Sequence, residues 1–224
     1  MKRGMTEIIF ILDRSGSMSG LEADTIGGFN SMIGKQKKEE GEAYITTVLF
    51  DDRIETLHDR KKLSELPPIT ERDYFVRGAT ALLDAVGETI HHVETIHKYA
   101  REEDVPEKTM VVITTDGMEN SSSRYSCEEV RRMVETKQEK CGWEFIFLGA
   151  NLDAAATAGR MGIKRDHAAN YTYDGEGVRC CYESLSMAVK GVISNKEKPI
   201  CVPEFLKKVR QDYEERSGNT EESC

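Results

Sequence analysis

The sequence predicts an α/β protein built on an open, mostly parallel sheet of six strands with helices on both faces. Three observations predict it. Short continuous apolar runs, rich in β-branched and aromatic residues, recur at Ile8 to Leu12, Met110 to Thr115 and Phe145 to Leu148, as strands covered on both sides require. Stretches with apolar residues at helical spacing lie between them. The two kinds of segment alternate along 224 residues, a length that suits one sizeable domain.

Each element has its own signal. After the first strand, Leu21, Thr25, Phe29 and Met32 share one helix face, with Ile26 and Ile33 beside them. Tyr44, Ile45 and Val48 to Phe50 read as a second strand, and the alternating Arg53 to Leu57 as a third. Asp51-Asp52 between them is a tight turn, so this pair is expected to form an antiparallel hairpin at the sheet edge. Leu82, Leu83, Val86, Ile90 and Val93 keep the helical period, as do Cys127, Val130, Met133 and Val134, where Ser126 and Glu129 form a capping box. Ala154 to Met161 is a short helix ended by Gly162, Ala168 to Tyr173 a weaker sixth strand, and Val178 to Val192 the last long helix. Pro203 can start one further short helix carrying Phe205, Leu206, Val209 and Tyr213. The expected division is a domain over 5–195, an extension with that helix over 196–217 and a polar, disordered tail over 218–224.

Composition narrows the function classes. A net charge of −9 argues against nucleic acid and anionic membrane surfaces, which reward clustered Lys and Arg. No segment reaches the apolar length of a bilayer span, and Asp13-Arg14 cuts off the first apolar run before it reads as a secretory signal, so a cytoplasmic location is expected. The six cysteines contain no C-x-x-C pair. Cys127 and Cys141 fit the buried face and the end of a helix, and Cys180 and Cys181 read as ordinary helix thiols.

In open α/β sheets ligands bind beyond the carboxyl ends of the strands, where strand order reverses. The residues just past the apolar runs are therefore the informative ones. Asp13-Arg14-Ser15-Gly16-Ser17 follows the first strand, Asp116-Gly117 the Met110 strand, and Gly78-Ala79-Thr80 precedes the second long helix. Alternate residues of an extended turn point the same way, which lets Asp13, Ser15 and Ser17 converge. Asp13 and Asp116 offer carboxylates, and Ser15, Ser17 and Thr80 offer hydroxyls. This all-oxygen set selects Mg²⁺, or Mn²⁺ or Ca²⁺, over zinc or copper. Each piece alone is an ordinary turn or helix cap. The three in this order, each at a strand exit or helix start, make a metal site the stronger reading.

At these residues the sequence resembles the von Willebrand factor A-type (vWA) domains. Asp13-x-Ser15-x-Ser17, Thr80 within Gly-x-Thr-Ala-Leu-x-Asp-Ala, and Asp116-Gly117 match their metal-ion-dependent adhesion site (MIDAS), and the likeness covers roughly 5–195. The stretch from Asp13 to Ile33 is most similar to compact bacterial and phage-borne members. The resemblance implies a Rossmann-like sheet of order 3-2-1-4-5-6 with one antiparallel edge strand. It implies hydroxyl coordination by Ser15, Ser17 and Thr80, with Asp13 and Asp116 acting directly or through water. A partner protein's Asp or Glu would complete the shell, and Arg14, Met18, Glu119 and Asn120 would rim the binding face. By family analogy the partner is a kinase, a phosphatase or an AAA-type ATPase.

Two other functions compete with metal-dependent protein binding. One is a metal-assisted phosphatase or hydrolase, for which the sequence offers no positioned base. The other is a structural subunit in which the metal only braces loops. No G-x-G-x-x-G follows the first strand and no Walker motif is present, which argues against nucleotide binding. His91, His92 and His97 lack the four-residue spacing that stacks two ligands on one helix face and are expected to be solvent-exposed. Asn151 and Asp153 read as helix-capping residues, and Trp143 as a core residue.

Overall fold

A computed structural model describes residues 2–39, 41–194 and 201–218. Strands β1 (Lys2–Asp13), β2 (Glu42–Phe50), β3 (Ile54–Lys62), β4 (Pro106–Thr115), β5 (Glu144–Gly149) and β6 (Ala168–Asn170) form one sheet of order β3-β2-β1-β4-β5-β6. β1 pairs parallel with both β2 and β4, β5 joins β4 and β6 in parallel, and β3 runs antiparallel to β2 at the edge. The helices are α1 (Glu22–Gln36), α2 (Leu82–Tyr99), α3 (Cys127–Cys141), α4 (Ala154–Arg160), α5 (Gly175–Ser194), α6 (Val202–Phe205) and α7 (Lys207–Gly218).

The two-residue repeat of a strand explains how one run of sequence serves two cores. In β1, Ile8, Phe10 and Leu12 face a layer containing α1 and α5, where they meet Phe29, Met32, Tyr182, Leu185 and Val189. Ile9 and Ile11 face the opposite layer with Val86 and Ile90 of α2 and Val130 and Val134 of α3. A strand loaded on both faces reads as unbroken apolar sequence, and burying each such side chain stabilises the fold by about 1.5–3 kcal/mol. α1 and α5 approach closely at Gly28, where an added Cβ would lie 2.3 Å from the Tyr182 ring.

Local signals hold where they are strong. Ser126 and Glu129 make both halves of the capping box, and Gly142 ends α3 at φ 64°. Asp153 caps α4, and Trp143 is buried. Tertiary context changes others. β1 begins at Lys2 and β3 continues to Lys62, both longer than their apolar runs, because pairing with a neighbour extends a strand past its hydrophobic stretch. β6 is shorter than expected, since the Tyr171 N–H makes the last bond to β5, to the Gly149 carbonyl at 3.0 Å, and Thr172 and Tyr173 lie past it. The helix expected at Pro203 is two, α6 and α7, and Val202, Leu206 and Val209 join the α1–α5 core. The expected tail over 218–224 lies, beyond Gly218, outside the described residues, as do 195–200 of the extension.

Cysteine and histidine expectations need correction. Cys127 is only half-buried, so it does not sit on a buried face, while Cys141 is the last residue of α3, at the helix end as expected. Cys180 and Cys181 are buried, and burial pushes both thiols up, as expected of unreactive helix residues. His97 is not a surface residue of the expected kind. Its Nε2 lies 2.5 Å from a carboxylate oxygen of the fully buried Glu7, whose other oxygen pairs with Arg60 at 3.0 Å.

Candidate metal centre

β1 and β4 lie side by side and end together, with the crossovers leaving them toward opposite sides of the sheet. That places Asp13, the last residue of β1, next to the β4 exit at Thr115 and Asp116. Asp13 is 1% exposed, and its two oxygens are fixed in different directions. Oδ1 accepts the Ser15 backbone N–H at 2.7 Å, and Oδ2 accepts the Thr115 hydroxyl at 2.6 Å.

The chain after Asp13 is not the extended turn that the sequence suggested. Ser15 is extended, at φ −64° and ψ 166°, but Gly16–Met18 then form one 3-10 turn. The hydroxyls converge all the same. Ser15 Oγ lies 3.0 Å from Ser17 Oγ, the Thr80 hydroxyl donates to Ser15 Oγ at 3.0 Å, and Ser17 Oγ donates to Asp116 Oδ1 at 2.6 Å. All five expected ligand positions, Asp13, Ser15, Ser17, Thr80 and Asp116, therefore meet in one cluster.

The loops are held by glycines and by reciprocal hydrogen bonds. Gly16 N–H donates to the Gly78 carbonyl at 3.1 Å. Gly78 has φ +67°, and an added Cβ would fall 2.1 Å from Asp52 Oδ1, so only glycine fits there. Thr80 N–H donates to Asn120 Oδ1 at 2.9 Å, and Asn120 N–H returns to the Thr80 carbonyl at 3.1 Å. Asp84, in the first turn of α2, accepts the backbone N–H groups of Ser123, Arg124 and Tyr125, each at 2.9 Å.

Electrostatics single out Asp116. Its side chain is buried, and Oδ2 has no hydrogen-bond partner. Burial, and then repulsion from Asp13, pushes its pKa up to about 6. Burial raises Asp13 as well. Two adjacent buried carboxylates that resist ionisation are a place where a cation would be held favourably. A Cβ on Gly117 would sit 3.0 Å from Ser17 Oγ and 3.1 Å from Thr80 Oγ1, so the glycine leaves open the space that these oxygens share. The donor set, hard oxygens with an orphaned carboxylate atom, fits a small divalent cation. No group of three or more His, Cys, Asp or Glu side chains among the described residues is placed to hold a metal, and this cluster offers two carboxylates with three hydroxyls.

The expected rim is partly wrong. Arg14 is fully buried. Its guanidinium reaches Asp51 at 2.9 Å and Glu55 at 2.8 Å, because a cation next to a strand end inside the fold must find carboxylates. Met18 is buried in the α1–α5 core. Glu119 is half-buried and accepts the Leu83, Ser121 and Ser122 N–H groups at 2.9, 3.0 and 2.7 Å, so it pins loops. Asn120 is exposed at the rim as expected. Sequence reasoning missed Met118, 72% exposed, and Phe75, 43% exposed, whose ring stacks near Arg14 and Arg77. It also missed Tyr173, whose hydroxyl donates to the carbonyls of Ser17 and Ser19. An isolated apolar residue directly after a site motif was the available signal for Met118.

Comparison with known proteins agrees with this architecture. No protein-family model and no curated protein matches the sequence. Among solved structures, the vWF domain of a type V pili tip protein from Porphyromonas gingivalis aligns with TM-score 0.59 and 11% identity, over 89% of this chain and 99% of that one. The chain has the von Willebrand factor A-type fold. A variant of the PilB minor pilin from Streptococcus sanguinis aligns with TM-score 0.61 and 12% identity over 87% of this chain, which spans 63% of the pilin. Proximal thread matrix protein 1 from the mussel byssus, in a form with a zinc-occupied MIDAS motif, aligns with TM-score 0.55 and 14% identity, over 84% of this chain and 46% of that one. The chain is thus shorter than several of the proteins that share its fold.

These neighbours correct the expected cytoplasmic location. They include a minor pilin and a pili tip protein, and that company overturns the expectation. The expectation rested on missing features, a signal segment and a membrane span, and missing features do not assign a compartment. Among the described residues no helix is long and apolar enough to cross a membrane.

Proposed function

We propose that this vWA chain is a divalent-metal-dependent protein-binding module. Ser15, Ser17 and Thr80 would hold the ion by their hydroxyls, and Asp13 and Asp116 would balance its charge. Mg²⁺ or Mn²⁺ suits this set best, because all five groups are hard oxygen donors. The ion would supply a Lewis-acidic coordination position open to a carboxylate from outside. The observation that carries the reading is the Asp116 Oδ2 atom, buried without a partner beside three mutually bonded hydroxyls.

The pilin and pili tip proteins that share the fold support a role in protein contact rather than catalysis. The hydrogen bonds described for the site also support binding. They join its hydroxyls to one another and to carboxylates, and none joins a hydroxyl to a histidine or lysine that could take its proton. The partner is a protein that presents Asp or Glu.

Calorimetric titration of metal-stripped protein with Mg²⁺ and with Mn²⁺, beside the Asp13→Ala variant, tests the proposal. Saturable one-site binding that disappears in the variant is the expected result. Binding of equal strength in both proteins would remove Asp13 from the site, and no binding to either would remove the site.

A further inference from the structure

Beside the cluster, α2, the loop after β4 and α4 enclose an apolar pocket of about 220 Å³. Leu82, Leu83, Met118 and Met161 form its walls, with Cys127 at one side and Arg160 exposed at the rim. A cavity of roughly 150 Å³ accepts a benzene-sized group, so this one has room for one branched aliphatic or aromatic side chain. The pocket is continuous with the site through the chain itself. Leu82 is two residues past Thr80, and Met118 two residues past Asp116, and two residues span at most about 7 Å. Met118 stands 72% exposed, so this wall of the pocket is open to a partner.

Resting on the metal-binding reading above, we infer that the partner segment is extended and pairs an Asp or Glu with an apolar residue two positions away, the carboxylate going to the metal and the apolar side chain into the Leu82–Leu83–Met118–Met161 pocket. Alternate residues of an extended strand point to the same side, and the two-residue step of the partner parallels the two-residue steps from Thr80 to Leu82 and from Asp116 to Met118. Charge favours the same occupant. The chain carries −9 overall and would repel an acidic partner, and Glu119 lines the pocket as well as Arg160, so a partner carboxylate is drawn to the bound cation while the pocket takes the apolar side chain. The pocket thus selects among acidic segments that the metal alone would accept equally.

The test uses blocked synthetic peptides with a central Asp-Gly-Leu, with Asp-Gly-Ser and with Asn-Gly-Leu, titrated by NMR into the full chain saturated with Mg²⁺. Mg²⁺ alone is titrated first. The leucine peptide is expected to bind about tenfold or more tightly than the serine peptide, the value of one buried aliphatic side chain. The asparagine peptide should not bind, and chelation should release the others. Met118→Ser, and separately Leu83→Ser, should erase the leucine preference while leaving Mg²⁺ affinity as in the parent. Equal affinity for the leucine and serine peptides would overturn the pocket and leave the metal reading standing. A leucine preference that survives both substitutions would also overturn it. A silent Mg²⁺ titration would overturn the metal reading, and the inference with it.

Discussion

Asp116 is the residue whose surroundings make least sense without a cation. In the metal-free protein burial and Asp13 raise it to about 6. A carboxylate with a folded pKa above its unfolded one contributes stability below the unfolded value, and that contribution is lost as pH rises through about 6. Asp116→Asn is therefore expected to raise the Tm of the metal-free protein at neutral pH by a few degrees, at roughly 2–4 °C per kcal/mol. It should also abolish the rise in Tm that Mg²⁺ gives the parent. Scanning calorimetry with and without Mg²⁺ checks both, and a lower metal-free Tm would contradict the burial argument. Asp51 behaves in the opposite way. Burial raises it, but hydrogen bonds from Arg77, the Arg53 backbone and Arg14 outweigh that and lower its pKa. Its contribution is present above the unfolded value and lost as pH falls through the lowered one. Asp51→Ala leaves the buried Arg14 with Glu55 as its remaining carboxylate and is expected to lower stability in urea unfolding at pH 7 by about 1–3 kcal/mol. That deficit should shrink as pH falls below the ordinary carboxylate range toward the lowered Asp51 value, through which the parent loses the same charge.

At the scale of elements, the site depends on loops that are clamped by residues outside it. Asp84 sits in α2 and accepts three backbone N–H groups from the loop after Asp116. Replacing it with Ala leaves those donors unpaired at about 1–3 kcal/mol for each one left buried. Asp84→Ala is expected to lower stability by about 2–4 kcal/mol and to weaken Mg²⁺ binding at least several-fold without touching a ligand. Parallel urea and calorimetric titrations check this, and an unchanged Mg²⁺ affinity would show that the loop holds its shape alone. The α1–α5 contact is a second clamp. Gly28→Ala drives a methyl group into the Tyr182 ring and is expected to cost about 1–3 kcal/mol.

The whole molecule is a sheet between two apolar layers, with the site at the end where β1 and β4 part. The α1–α5 layer is completed by α6 and α7, since Val202, Leu206 and Val209 belong to its core. A chain ending at Ser194 should lose several kcal/mol, at about 1.5–3 kcal/mol for each buried apolar side chain. It should also bind a hydrophobic dye that the full chain excludes. An unchanged Tm would mean that this segment packs without stabilising. α7 reaches further. Arg216 pairs with Asp174 at 2.7 Å, directly after the Tyr173 that holds the Ser17–Ser19 turn by its carbonyls.

Much of this was legible in the sequence because it follows from local rules. Period-two and period-3.6 apolar patterns place Ile8 to Leu12 in a buried strand and Leu82 to Val93 on a helix, whatever they pack against. The five oxygen residues stand at strand exits, where an open sheet gathers ligands, so Asp13, Ser15, Ser17, Thr80 and Asp116 were named before their meeting was seen. The resemblance supplied the strand order that alternation alone left open. Tertiary structure alone decided which neighbours of the site face solvent. Arg14 and Met18 read as rim residues beside the motif, yet one is buried by Asp51 and Glu55 and the other by the α1–α5 core. Met118 and Phe75, apolar and far apart in sequence, are exposed around it. Burial is set by the residues that arrive from distant parts of the chain, and no local pattern records which ones will come.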